Sequence, residues 1–334
     1  MQYRNLGDTG ISVSAVGFGV WTVSTGWWGI KDDDYAVDLL RKAHAAGVTF
    51  FDTADTYGNG KGETIVARAL KDVRDEIVIA TKFGYDFYNH ADERRGQQEL
   101  PQDFSPKFVR FAVEQSLQRL ETDRIDLYQV HNPRMTAVEN DELFATLEDL
   151  KSEGKIRAYG AALGPAIGWE EEGLASMRTR EIDGLQIIYN MLEQDPGRAF
   201  FPDARERNVG VLVRVPHSSG MLEGKYTKDT TFPESDHRSH RPREWLVEGL
   251  QKIEQLAFLT EATGRTLGQA AIQFILNEPS IASVLPNIYD EEQLAEFAAA
   301  SDTAGLTQDE LDRIADLYEH GFYLDRGEPV ASEA

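Results

Sequence analysis

The sequence predicts an α/β fold, a (β/α)8 TIM barrel with an N-terminal β-hairpin and long loops on its C-terminal rim. Three observations predict it. Short apolar, β-branched runs alternate with amphipathic stretches of helical period along the 334 residues. The alternation completes eight units, and parallel strands joined by right-handed helical crossovers close naturally at that number. No joint has the composition of a flexible linker, so one domain over residues 1–334 accounts for the length, with its core at about 12–320 and a polar tail at 326–334.

The opening "MQYRNLGDTGISVS" carries Gly7 and Gly10 around a polar turn and reads as a hairpin ahead of the first barrel strand. "AVGFGVWTV" is that strand, and "DDDYAVDLLRKAHAAG" a helix capped by Asp and closed by Gly47. "VTFFDTA" and "EIVIATKFG" are the second and third strands, separated by the helix "GETIVARALK". Ser105 caps and Pro106 begins the helix "SPKFVRFAVEQSLQRLET" before the fourth strand, "RIDLYQVHNP". "NDELFATLEDLKSEGK", "IRAYGAALG", "WEEEGLASMRTR", "IDGLQIIYNML" and "PGRAFFPDARERN" continue the pattern through the sixth unit. "VGVLVRVP" is the seventh strand, a long helical segment runs from Trp245 to Pro279, and "IASVLPNI" is the eighth strand before "DEEQLAEFAAA". Residues 85–104 and 221–243 are long polar loops after barrel strands, and in a barrel such loops build the C-terminal rim where ligands bind.

Composition narrows the function classes. A 41% hydrophobic and 10% aromatic share is that of a globular protein. No apolar run approaches the roughly 20 residues that span a bilayer, and the N-terminus has no apolar stretch after a basic start, so a cytoplasmic protein is expected. The absence of cysteine excludes disulfides, thiolate catalysis and sulfur-ligated metals, and fits a reducing compartment. The net charge of −23 repels nucleic acid and anionic lipid, so neither is an expected partner. Only 11 of the 34 basic residues are Lys, which fits a halophilic protein kept soluble in high salt and equally an acidic mesophilic one.

The chemistry lies where apolar strands stop. The second strand ends in Asp52, with Asp55 and Tyr57 just beyond; the third ends in Lys82 and the fourth in His131. A lysine inside "IVIATKFG" is expensive to bury without a carboxylate, and Asp52 on the adjacent strand is placed to partner it. The ammonium stabilises the phenolate formed when Tyr57 gives up its proton, which makes Tyr57 a general acid for a carbonyl oxygen, or base for an alcohol, with His131 orienting that oxygen. Taken singly, each residue also has a bland role as cap, rim aromatic, solvated strand end or satisfied histidine. Their convergence on one rim is what points to a site.

Those residues carry a resemblance that runs along essentially the whole chain. "YRNLGDTGISVSAVGFGVW", "GVTFFDTADTYGNGKGE", "IVIATKFG", "SLQRLETDRIDLYQVHNP", "LEDLKSEGKIRAYGAA" and "GVLVRVPHSSGMLEGKY" are similar to the aldo-keto reductases. The resemblance implies a tetrad of Asp52, Tyr57, Lys82 and His131, with Tyr57 as proton donor, and NAD or NADP bound across the rim without a Rossmann domain. It implies cofactor contacts from Gly19, Trp21, Gln186, Arg214, Pro216, Ser218, Gly220, Leu222, Pro286, Asn287, Tyr289 and Gln293. Asp55 is expected to stay structural, bonding the turn backbone. No metal is expected: His237 and His240 stand three apart in a polar loop that reads as a substrate gate.

Departures from the family pattern are informative. The Ser-Asn expected after strand five, to hold the nicotinamide carboxamide, is Ala162 and Leu163, which leaves that task to Gln186 or to backbone. The strand-seven slot for a stacking Tyr is Arg214, which can stack as a plane or pair with rim acids. After strand eight, where NADP-preferring members carry a basic residue, stands Tyr289, followed by Asp290, Glu291 and Glu292. These carboxylates cap the next helix, and they also favour NAD over NADP by repelling a 2′-phosphate. Rim residues Trp27, Trp28, Tyr85 and His237, with Arg94, Arg95 and Arg238, suit a small carbonyl or polyol substrate such as a sugar or sugar derivative. The alternative from another class is a redox-sensing, cofactor-binding regulatory protein of the same fold.

Overall fold

The computed structural model describes residues 1–25, 29–90, 99–164, 168–261 and 263–324. An antiparallel hairpin of β1 (Tyr3–Asn5) and β2 (Ser12–Ser14) precedes a parallel sheet of eight strands. These are β3 (Phe18–Gly19), β4 (Phe50–Asp52), β5 (Val78–Phe83), β6 (Ile125–His131), β7 (Ile156–Ala162), β8 (Gly184–Ile188), β9 (Gly210–Arg214) and β10 (Ile281–Leu285). They pair in chain order, and the ends meet through bonds from Gly17 N to Val284 O and from Val284 N to Ala15 O, 2.8 and 2.9 Å. The fold class expected from the alternation is the one found.

The helices that cross between strands are α1 (Asp33–Ala45), α2 (Lys61–Leu70), α3 (Pro106–Leu120), α4 (Asp141–Ser152), α5 (Glu170–Thr179) and α6 (Gly197–Arg207). They are followed by α7 (Arg243–Gln255), α8 (Leu267–Leu276), α9 (Glu291–Ala298) and α10 (Gln308–Glu319). Side chains close several ends as expected: Asp32 accepts from Asp34 N and Tyr35 N, and Ser105 from Phe108 N with Pro106 at the first helical position.

Two expectations change. The first barrel strand keeps only Phe18–Gly19, and Trp21–Ser24 is a helical turn. The long segment from Trp245 to Pro279 is two helices, because Thr266 and Gln269 form a capping box that starts α8 afresh. The helix α10, with its own box of Thr307 and Glu310, lies beyond the units read from the sequence.

The core has two layers. One lies between barrel and helices; the other fills the bore with Phe50, Val78, Ala80, Leu127, Ala158 and Leu212, and the hairpin adds Leu6, Ile11 and Val13 to it. The hairpin sits so closely that a Cβ on Gly7 would lie 2.2 Å from Asn208 O, at a φ of +53°. A dry plug on one side leaves polar groups in the bore to the other.

Candidate active site

Alternation along a strand decides which side chains enter the bore. Phe50 and Asp52, then Val78, Ala80 and Lys82, then Leu127, Gln129 and His131 fall on one face, apolar first and polar last. Lys82 Nζ donates to Asp52 Oδ1 at 2.6 Å and to Thr53 O at 2.7 Å, and both side chains are buried. Asp52 Oδ2 accepts from Gln129 Nε2 at 3.0 Å and from Gln186 Nε2 at 2.9 Å. Burying an ion pair costs several kcal/mol per ion unless hydrogen bonds complete both partners, and here the two amides complete Asp52 and the Thr53 carbonyl completes Lys82. The Lys82 ammonium stands 5.1 Å from the centre of the Tyr57 ring. The His131 ring meets Tyr57 edge-on at 6.1 Å and Tyr85 at 5.0 Å.

Asp52, Tyr57, Lys82 and His131 line one cavity of about 580 Å³. Gly19, Trp21, Gln186, Arg214 and Asn287, expected to face the cofactor, and Tyr85 and His237, expected to face the substrate, line it too. Pro216, Ser218, Gly220 and Leu222 form the buried turn after β9, and Pro286 is buried after β10. Tyr289 and Gln293 follow in the segment that enters α9. Trp27, Trp28, Arg94 and Arg95 lie outside the described residues.

The structure gives several of these residues definite partners. Gln186 commits its amide nitrogen to Asp52. Arg214 Nη2 donates to the carbonyls of Leu163 and Gly164, at 3.0 and 2.9 Å, so its guanidinium ties β9 to the loop that lacks the Ser-Asn pair. Asp290 caps α9 by accepting from Gln293 N at 2.7 Å, and Glu291 pairs with Lys42 on the surface. Asp55 is wholly buried, and among the described residues its carboxyl makes no close hydrogen bond, with only the Thr56 backbone N–H as a weak donor to it. Burial first, and Glu63 second, push that carboxyl well above the usual range.

Sequence reasoning missed Gln129, although a lone amide two residues before His131 in an apolar strand shares its face and was legible there. It also missed the rim network in which Asn132 Nδ2 donates to Tyr85 Oη at 2.7 Å and Tyr85 Oη to Glu99 at 3.0 Å. Only the fold brings these positions together.

The exit of β9 is strained. Val215, Ser218 and Ser219 have φ of 57°, 46° and 58°, and a β-branched residue in that region is a true outlier. A strap from the 221–243 loop holds this turn: Tyr226 Oη donates to Ser219 O at 2.8 Å, and Arg238 Nη1 donates to Tyr226 Oη at 2.6 Å. His237 from the same strap packs edge-on against Trp21 at 5.9 Å, and burial, then Arg241, hold its imidazole below the ordinary value. Among the described residues no group of three or more His, Cys, Asp or Glu could hold a metal ion.

Comparison with known proteins gives this geometry its class. The model of the "Aldo/keto reductase family" matches residues 15–319, and the chain belongs to that family. It is therefore an NAD(P)-dependent oxidoreductase acting on carbonyl groups. It is 32% identical over 291 residues to the aldo-keto reductase YhdN of Bacillus subtilis, covering 84% of this chain and 82% of that one. Over 312 residues it is 32% identical to the NADH-specific methylglyoxal reductase of Escherichia coli, covering 90% of this chain and 93% of the other. The glycerol dehydrogenase of Gluconobacter oxydans superposes with a TM-score of 0.79 at 27% identity, covering 97% and 96% of the two chains. The residues present fit a nicotinamide cofactor: the cavity offers amide, hydroxyl and guanidinium groups from Gln186, Asn287, Ser219 and Arg214 beside Tyr57.

Proposed function

We propose that this enzyme interconverts the carbonyl and alcohol forms of a small hydroxylated substrate, a sugar or a short relative of one, with NADH as its preferred cofactor. The observation that carries the reading is the hydrogen-bonding rim of Tyr85, Asn132, Glu99 and Glu193 in the same cavity as Tyr57 and His131. Such a rim compensates hydroxyl groups that an apolar pocket would leave unpaired. The names of two relatives, a glycerol dehydrogenase and an NADH-specific methylglyoxal reductase, support substrates of this size.

In reduction, Tyr57 gives its hydroxyl proton to the substrate oxygen, and His131 orients that oxygen. Lys82 stabilises the phenolate left on Tyr57, while Asp52 holds the ammonium in position and is itself fixed by Gln129 and Gln186. Oxidation reverses the proton, with Tyr57 as base. When bound, the nicotinamide supplies or accepts the hydride. The chain's share is orientation, proton transfer and electrostatic support.

The test is turnover of glyceraldehyde, methylglyoxal and benzaldehyde with each cofactor, and of glycerol in reverse. The hydroxylated and dicarbonyl substrates are expected to give the higher kcat/KM; benzaldehyde as the best substrate would overturn the substrate reading. Tyr57→Phe is expected to lower kcat by about 10²–10⁴-fold with cofactor affinity unchanged, and full activity in that variant would remove Tyr57 as the acid. Cofactor binding with no turnover of any carbonyl would favour the regulatory alternative.

A further inference from the structure

The loop of residues 85–104 folds back on itself at its base. Tyr85 and Gln102 face each other in an antiparallel bridge, and Asp86 N donates to Pro101 O and Asp103 N to Gly84 O, both at 2.8 Å. The closed base brings Gln102 against the end of β6. There its Nε2 donates to His131 O at 2.8 Å and to Asn132 O at 3.2 Å. On this side the ladder has already ended, because β5 stops at Phe83 opposite Val130, so the carbonyls beyond it need donors from elsewhere. One amide with two N–H groups serves both.

Asn132 is where β6 turns away. Its φ of +49° lies in the left-handed region, which Asn enters more readily than most residues, and its N–H donates to Ala162 O at 2.8 Å. Its Nδ2 donates to Tyr85 Oη at 2.7 Å, and the Tyr85 ring meets that of His131 edge-on at 5.0 Å. Burial pushes the Tyr85 hydroxyl above its ordinary value, so it stays protonated and donates to Glu99 Oε1 at 3.0 Å. One loop therefore holds the carbonyl of His131, the residue after it and one edge of its ring.

We propose that Gln102 is a positioning residue for His131, its two carbonyl contacts fixing the direction from which the imidazole meets the substrate oxygen. This rests on the reading of His131 as the group that orients that oxygen. Gln102 is not among the residues that line the cavity, so it acts through His131 and not on the substrate. A misplacement of about 1 Å in a reacting group lowers the rate on the order of 100-fold. A strand end released from its donors, next to a residue with positive φ, has several ways to drift that far.

The experiment is a double-mutant cycle on kcat, run with whichever nicotinamide cofactor and whichever aldehyde, glyceraldehyde or benzaldehyde, the wild type turns over faster. Gln102→Met keeps the length of the side chain and removes both donors; Gln102→Lys returns a donor of similar reach. Gln102→Met is expected to lower kcat about tenfold or more, and Gln102→Lys to recover most of that loss. An unchanged cofactor dissociation constant, read from quenching of tryptophan fluorescence, shows that the variant is folded. His131→Ala is itself expected to lose about 100-fold or more. In that background Gln102→Met is expected to lower kcat by less than about twofold, because no ring is left to position. A similar loss in both backgrounds, or a loss of cofactor binding along with kcat, makes Gln102 a support of the loop and overturns the proposal. A kcat unchanged by Gln102→Met in wild type overturns it too. Full activity in His131→Ala, or no turnover of either aldehyde by wild type, overturns the reading beneath the proposal and the proposal with it.

Discussion

Asp55 shows how a residue that looks like a catalytic neighbour has a separate physical life. It follows Asp52 by three positions, yet it is fully buried beside Glu63, which itself accepts from Arg119 Nε and Thr81 Oγ1, both at 2.6 Å. Its raised carboxyl means that the native state binds a proton which the unfolded chain has already released. Between the unfolded and native values stability therefore falls as pH rises, by up to about 1.4 kcal/mol per pH unit. Asp55→Asn removes the titration and is expected to flatten the decline in melting temperature as pH rises above the unfolded carboxyl value of about 4; an unchanged slope would mean that Asp55 is ionised in the folded protein. At this scale the sequence yielded the Asp52–Lys82 pair, because a lysine in an apolar strand demands a carboxylate. It did not yield Arg214 as it stands, since its partners, the Leu163 and Gly164 carbonyls, are distant in the chain.

At the scale of elements, strand order is fastened by groups away from the chemistry. Asp126 lies at the start of β6, far along the strand from His131, with no exposed surface. It accepts from Arg74 Nη2 at 2.7 Å, Arg157 Nη1 at 2.8 Å and Ile79 N at 2.9 Å, and so ties β5, β6 and β7 together. Asp126→Ala leaves a half-buried Arg74 without its carboxylate and is expected to cost about 3–5 kcal/mol in denaturant unfolding, with cofactor affinity unchanged. A loss below about 1 kcal/mol would class the cluster with ordinary surface pairs. Element boundaries were legible where a local device sets them, as with Ser105–Pro106 at the start of α3. The Thr266/Gln269 box was equally local, and the polar "TEATGRT" with Gly264 before it made the break between α7 and α8 legible as well. The short β3 is a different failure: "VWTV" has high strand propensity, but the chain there turns across the rim, with Val23 N bonded to Val20 O.

At the scale of the molecule, the barrel was legible because the alternation repeats the same evidence in every unit, so that single errors of boundary leave the topology intact. The charge was equally plain, and it has a consequence for stability. With 57 acidic and 34 basic residues, 23 acids lack a basic counterpart even if every base were paired. The pairs that exist are largely exposed, as in Arg68–Asp34 and Arg124–Asp75, and each such contact contributes about 0–1 kcal/mol. Repulsion among unpaired acids therefore outweighs attraction within exposed pairs, and added salt weakens the repulsion more than it weakens the attraction. Raising KCl from about 0.1 M to about 1 M shortens the screening length from about 10 Å to about 3 Å, so the melting temperature is expected to rise. Most of the rise should come below about 0.5 M, where the screening length changes fastest. A chloride salt is the right choice, since sulfate also strengthens apolar burial by exclusion from the surface. A melting temperature that climbs only in the molar range would point to exclusion instead of screening. One that falls with KCl would mean that the exposed ion pairs dominate, and the acid excess would then serve solubility without stabilising the fold in salt.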